Sequence, residues 1–291
     1  MVMIVTALAA AVFYGIGAAV QQRQAGAEPR SLAGRPSLLV RLAHNPLWVA
    51  GFAVQAGGFA AHALALRSGP LTAVQMVMSA DLVVAVLMVR VWSGRPLSRA
   101  SWSAVLTVIA GIALFVGLTS HGDGHPAARP GHVLAAVIVT GVTAVLAAAF
   151  GLRAAGRNRA VLLAVAAGLA DTCSAVVTMA FAHVASHGPV ALFSSWTVYA
   201  LVVCGVGNVL LTQTAYQTGR PMVTLPIIAA VTPAASVAVG TGFLGETFRT
   251  GIAGGVEVGI VVVITIAALA RLARTAPHPE QAVTREPALV A

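Results

Sequence analysis

Runs of about twenty apolar residues recur from one end of this 291-residue chain to the other. A run of that length, coiled at about 1.5 Å per residue, crosses the ~30 Å hydrocarbon core of a bilayer. No water satisfies backbone groups there, so each run must close its own hydrogen bonds as a helix. Charged residues make up only 9% of the chain, against about 25% in a soluble domain. The mean hydropathy is +0.91. The fold class is therefore an all-α integral membrane protein, and its first partner is the lipid bilayer.

Nine spans are expected, at 2–22, 46–67, 70–92, 98–119, 132–152, 158–184, 189–213, 220–243 and 250–271. Trp48, Trp92, Trp102 and Trp196 mark interfacial ends. The first span ends near "AGA" at 25–27, which resembles a signal-peptide cleavage site. No basic residue precedes it, so a retained helix is expected. The Pro-rich tail "TAPHPEQAVTREPALVA" reads as disordered.

The net charge of +9 invites a nucleic-acid reading. The distribution argues against it, because the basic residues punctuate apolar runs rather than forming one polar face. All seventeen are arginine. Fourteen fall in the tail or in the connections after spans 1, 3, 5 and 7; only Arg67, Arg129 and Arg249 fall on the other side. The positive-inside rule then places the chain in the cell membrane, with the N-terminus outside and the C-terminus cytoplasmic. Cys173 and Cys204 both lie inside apolar runs and read as packing residues.

The sequence also repeats. "ALRSGPLTAVQMVMSADLVVAVLMVRVWSGRPLSRASW" from residue 65 aligns with "AYQTGRPMVTLPIIAAVTPAASVAVGTGFLGETFRTGIA" from 215, with one residue inserted near the turn. "GFAVQAGGFAAHA" and "LVVCGVGNVLLTQ" share their glycine placement. The architecture expected is two inverted four-helix repeats joined by a linking helix. Residues 1–119 form the first repeat, 120–157 an external loop and the linking helix, 158–272 the second repeat, and 273–291 a disordered cytoplasmic tail. Inverted repeats characterise secondary transporters, which bind their solutes near the midplane.

"FYGIGAAVQQRQ", "PLWVAGFAVQAGG", "GPLTAVQMVMSADLVVAVL" and "LPIIAAVTPAASVAVGTGFLGETF" together resemble the drug/metabolite transporter superfamily. Within it the chain is most similar to the nine-helix NIPA-type magnesium transporters. The resemblance implies transport of a small solute or cation, with Mg²⁺ one candidate cargo, and no resident cofactor. Glu246 sits where the family has an acidic residue after this helix. The first half has Arg95 at the equivalent place, and Gly58 and Ala61 stand near where the resemblance implies an acid and an asparagine.

Asp81 interrupts "VQMVMSADLVVAVLMV" near the middle of span 3, and Asp171 sits at the middle of span 6. An Asp at a helix centre costs roughly 2.5–3.5 kcal/mol to insert, so such residues face a cavity or a partner and mark ion or proton paths. Gln55, Ser79, Thr172, Ser174, Asn208, Gln213 and Thr232 are the polar residues nearest in depth. Pro233, with Pro221 and Pro226, is expected to kink span 8 and free carbonyls for a site. The substrate or coupling-ion set is therefore Asp81, Asp171, Gln55, Asn208, Thr232 and Pro233. Glu257 and Glu246 are secondary candidates. Two midplane carboxylates suit a hard cation and suit a proton equally well.

The pairs His121/His125 and His183/His187 have spacings that fit an external transition-metal site, although short outer loops carry histidine without any ligand. Gly251, Gly255 and Gly259 form a doubled G-xxx-G, a close-packing signal within one chain or in a homodimer. No H-E-x-x-H, G-x-S-x-G or P-loop is present, so no enzyme is expected. The readings that compete with a solute transporter are a proton-coupled exporter of small metabolites or drugs, and a non-transporting scaffold or receptor.

Overall fold

A computed structural model describes residues 1–27, 41–94, 96–119, 129–218, 221–246 and 251–275. Arg95, His121, His125, Arg249 and the tail from 276 lie outside the described residues. So do the side chains of Pro221, Pro226 and Gln213.

The described residues are helical and contain no strand. The helices are α1 (Val2–Ala27), α2 (Pro46–Ser68), α3 (Leu71–Met78), α4 (Ala80–Ser93), α5 (Arg99–Thr119), α6 (Pro130–Arg153), α7 (Gly156–Ala185), α8 (Pro189–Ser194), α9 (Trp196–Thr218), α10 (Pro221–Gly242) and α11 (Gly251–Thr275). Seven segments are long and apolar enough to cross a membrane: α1, α2, α3 with α4, α5, α6, α7 and α11. Shorter apolar stretches, Trp196–Thr212 and Ile227–Gly242, lie in α9 and α10. The chain is thus a multi-pass, all-α membrane protein.

Local chemistry sets the helix ends. Asn45 caps α2, its Oδ1 accepting from the Leu47 and Trp48 N–H groups, and Pro46 takes the first turn, where its missing N–H costs nothing. The same Asn45 donates to Gln24 Oε1 at 3.0 Å, tying the end of α1 to the start of α2. Gly94 ends α4 at φ +64°, a left-handed conformation open to glycine, and its N–H closes on the Arg90 carbonyl.

Arginine and tryptophan meet at this same face. Arg23 lies 5.4 Å from the Trp92 ring and Arg90 lies 5.5 Å from the Trp102 ring. At the other face Gly69 abuts Met3, and Glu246, just past α10, reaches the start of α3.

Small residues set the packing. α7 carries buried Ala160, Ala164, Ala167 and Ala170 and is packed by α2, α6, α9 and α10. Lipid is as apolar as leucine, so close backbone approach and dispersion hold membrane helices together. A Cβ added at Gly168 would stand 2.8 Å from Val231 Cβ, which shows how tightly α7 meets α10. One continuous core, with Phe115, Leu71, Met76, Leu269 and Leu272 fully buried, joins α3, α5 and α11. Away from it α6 exposes Ile138, Val142, Val145 and Phe150, as a lipid-facing helix does. Hydroxyls along the helices return to carbonyls one turn back, among them Thr140, Thr143, Thr178 and Thr265.

Candidate functional site

Asp81 lies at a break. Span 3 splits at Ser79, whose N–H is shared between the Gln75 and Met76 carbonyls at 3.2 Å each, while its hydroxyl donates to the Gln75 carbonyl at 3.1 Å. The helix resumes at Ala80, which places Asp81 in the first turn of α4. A helix N-terminus carries partial positive charge, so this is a favourable place for a carboxylate. Asp81 accepts from the Leu82 backbone N–H. α1 touches this point closely: a Cβ at Gly15 would stand 2.6 Å from the Asp81 carbonyl oxygen.

Asp171, on α7, accepts from Asn208 Nδ2 of α9 at 3.1 Å and lies beside Thr232 of α10, whose hydroxyl donates to the Gly168 carbonyl at 3.4 Å. Asn208 Oδ1 in turn accepts from Thr212 at 3.3 Å, and the Thr172 hydroxyl donates to the Thr232 carbonyl at 3.2 Å. Three helices therefore meet at one carboxylate. Gln55 on α2 accepts from Gln21 Nε2 of α1 at 3.2 Å.

These residues share a cavity of about 820 Å³. Asp81, Asp171, Gln55, Asn208, Thr232 and Pro233 all line it. Ser79 and Ser174 line it too, whereas Thr172 is buried in the helix contact behind it. The two carboxylates lie within electrostatic range of each other, and Tyr14 lies within range of both.

The other candidates fall elsewhere. The Glu246 carboxylate accepts from the Leu71 and Thr72 N–H groups, at 2.5 and 3.1 Å, and so caps α3 outside the cavity. Glu257 is exposed on α11 and does not line the cavity. His183 and His187 are exposed, with rings 5.3 Å apart, and His187 Nδ1 meets the His183 carbonyl at 3.1 Å. No group of three or more potential metal ligands occurs among the described residues. Cys173 and Cys204 are free thiols with Sγ atoms 3.8 Å apart between α7 and α9. Gly255 and Gly259 meet no neighbour within 4 Å, so this stripe packs against nothing in the described chain.

Sequence reasoning missed Tyr14, His62 and Gln75 as cavity residues. Tyr14 lies mid-span beside Gly15, away from any interface where tyrosine is unremarkable, and that depth was the available signal. His62, on α2, is buried. Its ring stands edge-on to Tyr14 with centroids 6.2 Å apart. α10 runs as one helix through the positions of Pro226 and Pro233, and span 3 is interrupted at Ser79.

No known protein-family profile matches the chain. An uncharacterized protein of Corynebacterium glutamicum is 26% identical over 280 residues, covering 94% of this chain and 95% of that protein. No solved structure matches.

Proposed function

We propose that the chain is a secondary transporter of a small solute or cation, working by alternating access between two inverted halves, with the architecture of the drug/metabolite transporter superfamily. One observation carries the reading: six residues from α2, α4, α7, α9 and α10, chosen because polar groups inside apolar runs mark transport paths, converge on a single cavity. Asp81 and Asp171 are its working groups, and they bind the cargo or the coupling proton.

The packing supports the inverted repeat. α1 lies against α2 and α4 much as α7 lies against α9 and α10. In each half a glycine of the first helix, Gly15 or Gly168, meets the third at close range. With the one-residue insertion, Asp81 aligns with Thr232, which lies beside Asp171 in the cavity wall. The acids therefore sit on non-equivalent helices, yet each half brings one to the same place.

The test is flux in proteoliposomes. Mg²⁺, other cations, amino acids and lipophilic drugs are offered with and without a pH gradient. Accumulation of any of them that requires both aspartates is expected. Flux dependent on the pH gradient singles out the proton-coupled exporter. Absence of all flux from a folded, correctly inserted protein favours the scaffold or receptor.

A further inference from the structure

Two residues that line the cavity each carry a buried polar atom with no partner among the described residues: His62 Nε2, on a side chain only 8% exposed, and Ser174 Oγ. Buried polar atoms are almost always paired with protein, water or ligand, so an occupant that brings a hydrogen-bonding group to this wall would complete it. Two acidic side chains, Asp81 and Asp171, line it, and no arginine does. The rest of the wall is mostly apolar and includes the aromatic residues Tyr14, Phe52 and Phe59.

Size separates the two classes of cation that two carboxylates could hold. Mg²⁺ keeps a tight octahedron of oxygen ligands and gives up its waters reluctantly. Six waters at roughly 30 Å³ each fill about 180 Å³, whereas the cavity holds about 820 Å³. An apolar wall offers such an ion nothing in the remaining space. Pockets for organic ligands span about 300–1,000 Å³, with an apolar lining and a few convergent polar groups. An ammonium is stabilised by a carboxylate and by an aromatic face together.

We infer that the cavity recognises an organic amine: its ammonium lies at Asp81, Asp171 and Tyr14, its apolar body against Phe52 and Phe59, and a second hydrogen-bonding group reaches His62 Nε2. This deepens the transporter reading and rests on it for transport, though not for binding.

The full chain, purified in detergent, is titrated calorimetrically with tyramine, phenethylamine, the uncharged alcohol tyrosol and MgCl₂. Tyramine is expected to bind, and tyrosol to bind about tenfold more weakly or worse, because it leaves the buried carboxylates unpaired. Phenethylamine, lacking the hydroxyl, is expected to fall about fivefold below tyramine, a difference that vanishes in His62→Leu. Asp81→Asn and Asp171→Asn should each weaken tyramine about tenfold or more. Millimolar MgCl₂ should not displace it. Equal binding of tyrosol and tyramine, failure of both amines to bind, or displacement by MgCl₂ overturns the inference. These arms use the unaltered protein, so they stand even if a variant misfolds. Persistence of the hydroxyl preference in folded His62→Leu overturns the place given to His62. Amine binding without flux in proteoliposomes would sink the transporter reading and leave this one. Mg²⁺ flux without amine binding would do the reverse.

Discussion

Asp171 and Asp81 are held differently, and the difference predicts how each responds to loss. Asp171 takes a side-chain bond from Asn208 on another helix and lies beside Thr232 of a third, while Asp81 relies on its own helix N-terminus and the Leu82 N–H. A hydrogen bond to a charged group contributes about 1.5–3 kcal/mol, and one stranded partner costs about as much. Asp171→Asn keeps the shape and removes the charge, so normal insertion is expected together with loss of most coupled flux. Asp81→Asn should behave alike, and the double variant should be little worse than either, because residues of one site do not add. Proteoliposome flux with quantified insertion checks this. Wild-type flux from folded Asp81→Asn would show that the carboxylate only packs. Asn208→Ala should lower the midpoint of thermal unfolding in detergent by more than Thr212→Val, since only the first strips the carboxylate of a donor. At this scale much of the site could be read from sequence: a carboxylate or amide inside an apolar run is costly enough to require a reason. Tyr14 could have been read by the same argument of depth, whereas His62 and Gln75 fall nearer span ends, where polar residues are ordinary, and only the fold shows that they line the cavity.

Elements carry their own logic. Three prolines fall in α10, yet it runs as one helix from Pro221 to Gly242, and hydroxyls of its own and of a neighbouring helix bond its carbonyls. The Thr232 carbonyl accepts from both Thr172 and Ser236 hydroxyls, at 3.2 and 2.8 Å. The break beside Asp81 has neither proline nor glycine at Ser79; α1 lies close to its far side at Gly15, and Glu246 caps the start of α3. Tertiary contact of this sort leaves no mark on a single stretch of sequence. Glu246 therefore has a measurable part as a cap. Glu246→Gln keeps an acceptor but loses the charge facing the helix N-terminus, so a loss of about 0.3–1 kcal/mol is expected. Glu246→Ala strands the Leu71 and Thr72 N–H groups and should cost about 1–3 kcal/mol. Thermal melts in detergent order the two, and equal melting of Ala and wild-type proteins would rule the cap out. Gly15→Val should cost more than either, because the added side chain meets the Asp81 backbone and Val84 within 3 Å.

At the scale of the whole molecule the proposal turns on direction. α7, at 30 residues and ~1.5 Å per residue, is about 45 Å long and carries exposed Arg157 at one end, with exposed His187 just past the other. α1 opens the first half as α7 opens the second, with exposed Val2 at its start and Arg23 near its end. If the halves are inverted, the two starting ends lie on opposite sides of the membrane. The arginine asymmetry predicts which is which: connections rich in arginine are expected to stay cytoplasmic because translocating them is disfavoured. In a background without Cys173 and Cys204, cysteines at positions 2 and 187 should react with an impermeant maleimide added outside intact cells. Those at 23 and 157 should react only after the membrane is opened. Labelling of 2 and 157 from one side would make the halves parallel, whereas inverted halves exchange inward and outward access by swapping equivalent conformations. In that event the shared cavity would remain as a binding site, and the inverted-repeat architecture would fall.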